Sequence, residues 1–355
     1  MGRRLATLAD MGWPVSRVLV TGHEGYIGCV LVPQLVAAGH EVVGLDSGLF
    51  RSCTIGPPAP VVPSITKDVR DVEASDLEGF DAICHLAGLS NDPLGDLDPS
   101  LTAAINHRAS VRLAEIAAGV GVERFVFSSS CSIYGSSPGG IVDETAPINP
   151  VTPYGFSKIH AEEGISAFAS DDFSPIHLRN ATAYGFSHRL RADLVINNLV
   201  GYALTQGRVF MKSDGTPWRP LIHIQDIARA FVAVLAAPRE RVHNEVFNVG
   251  LTDENYQIAT VASIVEQVVP SASIELAETA GPDIRDYRVD CGKIASEVPE
   301  FRPTWTVEAG ARELATEYQS NGLTEDGFLG RLMRIAHLKS GLAAGKISSE
   351  LRPES

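Results

Sequence analysis

A tyrosine and a lysine four residues apart are the residues of this sequence best suited to acid–base chemistry. Tyr154 and Lys158 lie in the run PYGFSK at the predicted start of a helix, so their side chains should share one helical face. A free tyrosine has a pKa of about 10 and is a weak base at neutral pH. A neighbouring ammonium group and a hydroxyl donor would lower that pKa, and the phenolate could then move a proton to or from a substrate hydroxyl.

A serine-rich segment precedes this pair and offers the hydroxyl groups. The run SSSCSIYG, which spans residues 128–135, directly follows a predicted strand that ends at Phe127. By itself, a Tyr/Lys pair on a helix is usually no more than surface packing. The serine-rich strand end and the fold described next reverse that balance, and they favour a catalytic role for Tyr154 and Lys158.

The elements that position these residues begin with a strand, a glycine turn and a helix. Residues 17–21 (RVLVT) form a short apolar run, followed by the turn GHEGYIG and a helical pattern that continues through Ala38. Gly22 permits the tight turn, Gly25 lets backbone N–H groups approach a pyrophosphate, and Gly28 lets the helix pack closely on the strand. The N-terminus of the helix then favours an anion.

A carboxylate ends the next predicted strand. Residues 41–45 (EVVGL) form the strand, and Asp46 follows it directly. At this position of a dinucleotide fold, a carboxylate accepts hydrogen bonds from the adenosine ribose and repels a 2′-phosphate. The pattern therefore predicts NAD, rather than NADP, as the cofactor.

Further strands alternate with helices along the first half of the chain. Strands are predicted at residues 82–88 and 124–128, with a helix at about 102–118 between them. This alternation predicts an α/β fold: a Rossmann doubly wound parallel sheet, with ligands at the carboxyl ends of its strands and a smaller C-terminal α/β substrate lobe. The predicted division is an N-terminal extension at 1–16, an NAD-binding Rossmann domain at 17–186 completed by about 220–250, a substrate-binding lobe at 187–219 and 251–320, and a C-terminal helix and tail at 321–355.

Composition excludes several classes of partner. The chain has 355 residues and a formal charge of −14, which disfavours binding to nucleic acids and to anionic membranes. No apolar run is long enough to span a bilayer, and the opening residues do not resemble a secretory signal, so we expect a cytoplasmic protein. The cysteines lack CxxC pairs and the histidines lack metal-binding spacing, which predicts neither disulfides nor a metal site.

Several ordered motifs together resemble one known family. The sequence resembles the extended short-chain dehydrogenase/reductases of the NAD-dependent epimerase/dehydratase group, which act on nucleotide sugars, and it is similar to the UDP-glucose 4-epimerases among them. The resemblance covers roughly residues 17–310. It rests on the motifs TGHEGYIG, KDVRD, HLAG, SSSCSIYG, PYGFSK, LRNATAYG, NNL at 197–199, RPLIHIQD and FNVG.

The resemblance implies roles for individual residues. Catalysis would fall to Ser130, Tyr154 and Lys158, with Lys158 also binding the nicotinamide ribose. Asp68 and Val69 would flank the adenine, and Asn106 would steady the helix of the active site. The implied NAD-binding residues are Gly22, Gly25, Tyr26, Ile27, Gly28, Asp46, Asp68, Val69, Leu86, Ala87, Gly88, Asn106, Ser128, Tyr154 and Lys158. The expected substrate-binding residues are Ser90, Ser130, Cys131, Ser132, Thr182, Arg191, Asn198, Arg219, Asp283, Arg285 and Tyr287.

Arginines in the second lobe are candidate ligands for the diphosphate of a nucleotide sugar. The guanidinium groups of Arg189, Arg191 and Arg219 could each match paired phosphate oxygens, with a surface role as the alternative for each. Relatives often carry an arginine just before a Gly-Asp pair, where this chain has Ala280. Arg285 could supply the missing charge.

The sequence predicts the cofactor more specifically than it predicts the reaction. Members of the resembled group first oxidise a sugar carbinol, typically at C4, and dehydratases then use an acidic residue just after the catalytic Ser/Thr. Here Cys131 and Ser132 take those positions, which favours a 4-epimerase; a catalytic Cys131 disagrees in register with the cysteine of 3,5-epimerising relatives. The open alternatives are a dehydrogenase or 4-ketoreductase, a 4,6-dehydratase, and a sensor or scaffold that only binds NAD.

Two further expectations complete the hypothesis. The polar segment at residues 91–96 differs from familiar 4-epimerases, so an unusual sugar such as a deoxy-hexose or a heptose fits the sequence. The resemblance also implies a homodimer.

Overall fold

The computed structural model describes residues 16–281, 283 and 285–354, so all but the last residue of the predicted N-terminal extension lies outside the described residues. The strands are β1 (Arg17–Thr21), β2 (Glu41–Asp46), β3 (Ser64–Thr66), β4 (Ala82–His85), β5 (Arg124–Ser130), β6 (Ser136–Val142), β7 (Ser174–Asn180), β8 (Thr182–Tyr184), β9 (Arg208–Ser213), β10 (Trp218–His223), β11 (Glu245–Val249), β12 (Asn255–Gln257), β13 (Ser273–Gly281) and β14 (Asp286–Val289).

Helices alternate with these strands. The α-helices are α1 (Gly28–Ala38), α2 (Asp92–Gly95), α3 (Pro99–Thr102), α4 (Ala109–Gly119), α5 (Pro153–Ser166), α6 (Val195–Gln206), α7 (Ile224–Ala236), α8 (Arg239–Val242), α9 (Ile258–Val268), α10 (Gly292–Glu297), α11 (Val307–Ser320), α12 (Glu325–Leu329) and α13 (Arg334–Ala343). Short 3-10 turns occupy Val69–Asp71, Ala74–Asp76 and Cys131–Tyr134, and a π-helical segment occupies Ala103–Arg108.

A seven-stranded parallel sheet forms the centre of the molecule. Its strand order is β11-β7-β5-β4-β1-β2-β3, so the order reverses direction at β1, where ligands of doubly wound sheets bind. β1 pairs with β2 on one side, with Val18 opposite Val42, and with β4 on the other, with Val18 opposite Ala82. The predicted Rossmann fold class is confirmed.

The inner strands are buried on both faces, as their nearly continuous apolar sequences require. On one face, Leu31 of α1 and Phe231 of α7 belong to a single apolar cluster with Val18. On the other face, Leu113 of α4 packs in a second cluster with Phe125. These two layers fix the carboxyl ends of β1, β4 and β5, from which the loops of the site emerge.

A third apolar cluster lies in the second half of the chain. It includes Leu199 of α6, Leu314 of α11 and Phe328 of α12, with Met211 of β9. Smaller sheets accompany it, in the orders β12-β10-β8 and β13-β9. In the part of the chain that the structure describes, no helix is long and apolar enough to cross a membrane.

The helix predicted at about 102–118 has an irregular centre. The chain is helical from Pro99 to Gly119, but residues Ala103–Arg108 adopt π geometry between α3 and α4. Such a segment re-aims a side chain within a helix and often accompanies a functional site. Here it carries Asn106 towards the loop that follows β4.

Candidate active site

A cavity of about 740 Å³ lies at the carboxyl ends of the central strands. Asp46 and Asp68 line it where β2 and β3 end, and Arg219 and Tyr287 line it from the second half of the chain. The cavity therefore joins the sheet to the elements of the third cluster, in the place expected for a doubly wound fold.

The glycine turn leaves room for the backbone alone. Gly22 has a φ of +73°, and a Cβ added to it would stand 2.8 Å from the Ala87 nitrogen. At Gly28 an added Cβ would stand 2.4 Å from the Gly22 carbonyl oxygen. Both glycines are thus required by the close packing of β1, α1 and the end of β4. The resulting cradle at the start of α1 fits the pyrophosphate of a dinucleotide.

Asp46 lies beside this cradle at the end of β2. Its carboxylate accepts hydrogen bonds from the Gly48 nitrogen at 2.8 Å and the Glu24 nitrogen at 3.2 Å. Burial raises the pKa of Asp46, although these backbone hydrogen bonds oppose the shift. A carboxylate in this position fits the ribose of NAD and is a poor neighbour for a 2′-phosphate.

Tyr154 and Lys158 lie in the first turns of α5 and both line the cavity. Thr152 caps this helix by accepting a hydrogen bond from the Gly155 nitrogen at 3.1 Å. The Lys158 ammonium donates a hydrogen bond to the Ser128 carbonyl at 2.8 Å and lies 5.8 Å from the centre of the Tyr154 ring. Burial lowers the pKa of Lys158 to about 8, against the opposing effect of Glu162.

The pKa of Tyr154 is not lowered as the sequence predicted. Burial raises the pKa of Tyr154 to about 12, and the Ser130 side chain and Arg191 only partly oppose that shift. Lys158 directs its ammonium to a backbone carbonyl rather than to the phenol. The sequence pattern correctly placed the two residues together, but it could not include the desolvation of the ring.

Asn106 supports the site without lining the cavity. Its side chain accepts a hydrogen bond from the Leu89 nitrogen at 2.8 Å and donates to the Leu89 carbonyl at 2.9 Å. It also donates to the Ser157 hydroxyl of α5 at 3.1 Å. The structure therefore does not bring Asn106 into the lining of the cavity where the cofactor is expected, whereas the expected support of the α5 helix agrees with this geometry.

Cys131 is turned away from the cavity. The 3-10 turn at Cys131–Tyr134 buries its thiol, which donates a hydrogen bond to the Arg179 carbonyl at 3.0 Å. Burial raises the pKa of this thiol well above its usual range. The structure thus does not bring Cys131 into the lining of the cavity, where its assignment to the substrate site placed it. Its neighbours Ser130 and Ser132 line the cavity and share a hydrogen bond of 2.9 Å between their hydroxyls.

A charged network approaches α5 from the second half of the chain. Arg219 and Arg285 both pair with Asp283, at 2.9 and 2.6 Å. Arg285 also pairs with Asp92, whose other oxygen accepts a hydrogen bond from the Thr152 hydroxyl at 2.6 Å. The expected diphosphate ligands Arg219 and Arg285 therefore stand in one ion-pair network that reaches the cap of the helix bearing Tyr154.

The other two candidate arginines divide between roles. Arg191 lines the cavity, pairs with Asp193 at 2.6 Å and donates to the Ser90 hydroxyl at 2.9 Å. Arg189 is outside the lining, and its guanidinium is used by backbone carbonyls, including that of Glu24 at 2.7 Å. The structure therefore does not bring Arg189 into the lining of the cavity, and its guanidinium is occupied by partners within the protein.

Most residues singled out from the sequence line the same cavity. They are Gly22, Gly25, Tyr26, Ile27, Gly28, Asp46, Asp68, Val69, Leu86, Ala87, Gly88, Ser90, Ser128, Ser130, Ser132, Tyr154, Lys158, Thr182, Arg191, Asn198, Arg219, Asp283, Arg285 and Tyr287.

Sequence reasoning missed several lining residues that lack a motif. Asn180 ends β7 and donates a hydrogen bond to the Ser128 hydroxyl at 3.1 Å. Asp193 follows Arg191 by two residues, a spacing that could have indicated the ion pair. Arg334 and Leu351 enter the lining from the C-terminal segment, in which no chemistry was predicted.

The C-terminal segment packs against the Asp68 end of the cavity. Residues 346–354 form a closed turn in which Ile347 bridges Pro353. Arg352 pairs with Asp71 and lies 3.8 Å from Asp68. Leu351, the residue before Arg352, is buried and lines the cavity. The polar tail predicted from sequence is thus part of the wall of the site.

Comparison with known proteins gives one consistent family. The model of the NAD dependent epimerase/dehydratase family matches residues 18–250. The UDP-glucose 4-epimerase of Mycolicibacterium smegmatis is 32% identical over 303 residues, which cover 83% of this chain and 96% of that protein.

Solved structures agree with the sequence relatives. An NAD-dependent NDP-hexosamine 5,6-dehydratase involved in tunicamycin biosynthesis superposes with a TM-score of 0.77 and 27% identity, covering 86% of this chain and 98% of the other. MoeE5 in complex with UDP-glucuronic acid and NAD gives a TM-score of 0.75 and 28% identity, covering 86% and 99%. The chain therefore belongs to the NAD-dependent epimerase/dehydratase family, a family of enzymes that use NAD.

Proposed function

We propose that this enzyme is a nucleotide-sugar epimerase that oxidises its substrate at C4 to a ketone and reduces the ketone from the opposite face. The observation that carries the proposal is the state of the carboxylates in the cavity. A dehydratase needs a carboxylic acid or a carboxylate free to move a proton at the neighbouring carbons of the sugar. All five carboxylates that line the described cavity already hold protein partners.

The partners of these carboxylates are specific. Asp46 accepts from backbone N–H groups, Asp68 is held by both arms of the Arg70 guanidinium, and Asp193 is paired with Arg191. Asp92 is shared between Thr152 and Arg285, and Asp283 is shared between Arg219 and Arg285. Beside Tyr154, the end of β5 offers the hydroxyls of Ser130 and Ser132 instead of an acid.

These hydroxyls and the phenol suffice for reversible oxidation of a carbinol. Bound NAD supplies the acceptor for the hydride of C4 and returns it in the second half of the cycle. Tyr154 takes the proton of the C4 hydroxyl during oxidation and gives a proton back during reduction. Ser130 donates a hydrogen bond to the C4 oxygen and holds it against Tyr154.

The protonation state of Tyr154 is set by competing effects. Burial keeps the phenol protonated at neutral pH, with a pKa of about 12. A positive charge brought next to the ring favours the phenolate, and both Lys158 and the oxidised cofactor carry one. The positive charge of the oxidised cofactor would thus lower the pKa of Tyr154, so that proton removal is favoured in the loaded site.

An epimerase must also let the ketone present its other face while the rest of the substrate stays bound. Arg219 and Arg285 are suited to hold the diphosphate, because each guanidinium has several donors and both line the cavity. The small side chains of Ser130, Ser132 and Thr182 leave space for the sugar to turn. Similarity to UDP-glucose 4-epimerases makes UDP-hexoses the first substrates to test.

The test follows UDP-, GDP-, dTDP- and CDP-hexoses by proton NMR in deuterated water and the absorbance of NADH at 340 nm. We expect a C4 epimer that retains hydrogen at C4, without net formation of NADH. A 4-keto-6-deoxy product with deuterium at C5 would overturn the proposal in favour of a dehydratase. Stoichiometric NADH would favour a dehydrogenase, and binding of NAD without any turnover would favour a sensor.

Organisation and assembly are also part of the proposal. β11 lies in residues 220–250 and completes the large sheet. Most residues of the third apolar cluster lie in 187–219 and 251–320. Both observations support the predicted division into a Rossmann domain and a substrate lobe. A homodimer in the cytoplasm stays a prediction from the family resemblance and from composition. Light scattering coupled to gel filtration would reveal the mass of the particle in solution.

A further inference from the structure

Arg334, the first residue of α13, is a buried cation in the wall of the cavity. Its exposed fraction is 2%, and it lines the cavity. Within residues 16–281, 283 and 285–354, no salt bridge to it is formed and its Nη1 atom has no hydrogen-bond partner. Nothing in the motifs of the sequence points to this residue.

Three other buried arginines are paired with carboxylates, and a fourth, Arg189, directs its guanidinium to backbone carbonyls. Arg179 pairs with Glu162 at 2.7 Å, Arg191 with Asp193 at 2.6 Å and Arg219 with Asp283 at 2.9 Å. A guanidinium group removed from water without a counter-charge is costly, so proteins rarely retain one unless a ligand completes the pairing. Arg334 differs from these four because, among the described residues, a buried guanidinium nitrogen without a partner occurs at Arg334 and at no other arginine.

The protein neighbours of Arg334 compensate only part of this cost. Its Nη2 atom donates a hydrogen bond to the Arg189 carbonyl at 3.1 Å, and its guanidinium lies 4.3 Å from the centre of the Phe50 ring. The Cys53 thiol is a further neighbour, but burial raises the pKa of that thiol and keeps it uncharged. The guanidinium therefore keeps an unused donor and an unbalanced positive charge.

The location of Arg334 indicates which ligand would pair with its guanidinium group. The backbone carbonyl of Arg189 accepts the hydrogen bond from Arg334, and the side chain of Arg189 donates to the Glu24 carbonyl at 2.7 Å. Glu24 lies within the glycine turn. The following helical turn is anchored to the loop after β2, where the Leu49 carbonyl lies 3.0 Å from His337 Nε2. Arg334 thus belongs to the same end of the cavity as Gly25 and Asp46.

We propose that Arg334 is a ligand for a diphosphate group at the glycine-turn end of the cavity. The backbone N–H groups at the start of α1 and the guanidinium would bind the anion from two sides. The dinucleotide pyrophosphate is the first source of that anion, and the diphosphate of a nucleotide sugar shares its chemistry. The inference rests on the dinucleotide site and holds whichever sugar reaction follows.

The test compares Arg334→Met and Arg334→Lys with Arg331→Met, in the full chain. Arg331 is an exposed arginine three residues earlier, so its variant controls for a general loss of positive charge. Calorimetric titrations measure the affinities for NAD, adenosine, UDP-glucose and uridine, and thermal melts measure the stability of each variant without ligand. Adenosine and uridine lack phosphate and report on the integrity of the site.

We expect Arg334→Met to weaken the affinity for NAD by roughly 10- to 100-fold and Arg334→Lys to weaken it less. The affinity for adenosine should be unchanged in both variants. The melting temperature without ligand should stay equal or rise, because an uncompensated buried charge is removed. A loss confined to UDP-glucose would support the diphosphate role and identify the nucleotide sugar as its source. Unchanged affinity for both diphosphates, or an equal loss for adenosine and uridine, would overturn the proposal, and neither result depends on turnover.

Discussion

The Thr152 hydroxyl donates a hydrogen bond to the Asp92 carboxylate across 2.6 Å. Thr152 caps α5, two residues before Tyr154, and Asp92 is also paired with Arg285 from the second half of the chain. The start of the helix that bears the proposed base is thereby tied to a residue proposed to bind the substrate. The position of Tyr154 is thereby linked, through Thr152 and Asp92, to the position of Arg285.

Removing the hydroxyl of Thr152 tests this link. Thr152→Val should lower the free energy of unfolding by about 1 kcal/mol through loss of the cap, and should leave one oxygen of buried Asp92 unpaired. We expect kcat to fall while the affinity for NAD is unchanged. Thr152→Ser keeps the hydroxyl and is the matched control; denaturant titrations and steady-state kinetics compare the two. Equal kinetics for both variants would contradict the link.

Tyr154→Phe removes the proposed acid–base group and little else. We expect kcat to drop by roughly 10²- to 10⁴-fold with NAD binding retained, because proton transfer is lost while the buried ring remains. Tyr256, whose hydroxyl is bonded to Glu254 outside the cavity, provides the control variant Tyr256→Phe. Full turnover by Tyr154→Phe would remove the basis of the proposed mechanism.

Lys158 predicts a specific dependence of stability on pH. The pKa of Lys158 is about 8 in the folded protein and about 10.4 in an unfolded chain, so below pH 8 both states are protonated and the folded state bears the full cost of burial. As the pH rises from about 8 to 10, the folded protein releases this proton first and gains stability.

The variant Lys158→Met lacks that gain. Its free energy of unfolding relative to the wild type should therefore decrease by about 2 kcal/mol between pH 7.5 and 9.5, in nucleotide-free protein. Exposed Lys339 supplies the control Lys339→Met, which should show no such trend. Urea titrations at both pH values measure the difference, and a parallel pH dependence of wild type and Lys158→Met would refute the assignment.

Gly28→Ala tests the cradle for the pyrophosphate. The added methyl group would stand 2.4 Å from the Gly22 carbonyl, so the turn must shift, at a cost of about 1–3 kcal/mol, and NAD affinity should fall with it. In Gly119→Ala the new methyl group meets no atom within 4 Å, which makes this variant the control. Calorimetry with NAD and thermal melts read out both effects; unaltered NAD affinity in Gly28→Ala would speak against the cradle.

Cys131→Ala tests the exclusion of the thiol from the chemistry. Because Cys131 is buried against the Arg179 carbonyl, the variant should keep kcat within about twofold while losing about 1 kcal/mol of stability. Products formed in deuterated water should carry no deuterium at C3 or C5. Deuterium at either carbon that disappears in the variant would restore Cys131 as an acid–base group.

Local pattern was enough to predict one part of this molecule. The sequence predicts a strand, a glycine turn, a helix and a second strand between Arg17 and Asp46. The structure has these elements as β1, α1 and β2. Such a unit is specified by neighbouring residues: a short run of apolar side chains, glycines where the backbone turns, and a carboxylate at a strand end. The fold class and the cofactor followed from it.

What sequence pattern could not supply depends on contacts between distant residues. The direction of Cys131 is set by a 3-10 turn, and the high pKa of Tyr154 is set by burial among several elements. Arg334 belongs to an ordinary amphipathic helix until the fold places that helix near a turn more than three hundred residues away. Desolvation and long-range placement leave no local signature.

The turn formed by residues 346–354 makes cofactor affinity a property of the C-terminal segment as well. Because Leu351 lines the cavity and its neighbour Arg352 contacts Asp68, we expect ligand binding at that end and docking of the segment to be linked, each strengthening the other by the same free energy. A bound dinucleotide should slow proteolysis within this segment. A bulky fusion attached to the C-terminal segment should weaken binding of the adenosine half of the cofactor, although this segment is far from the reacting atoms.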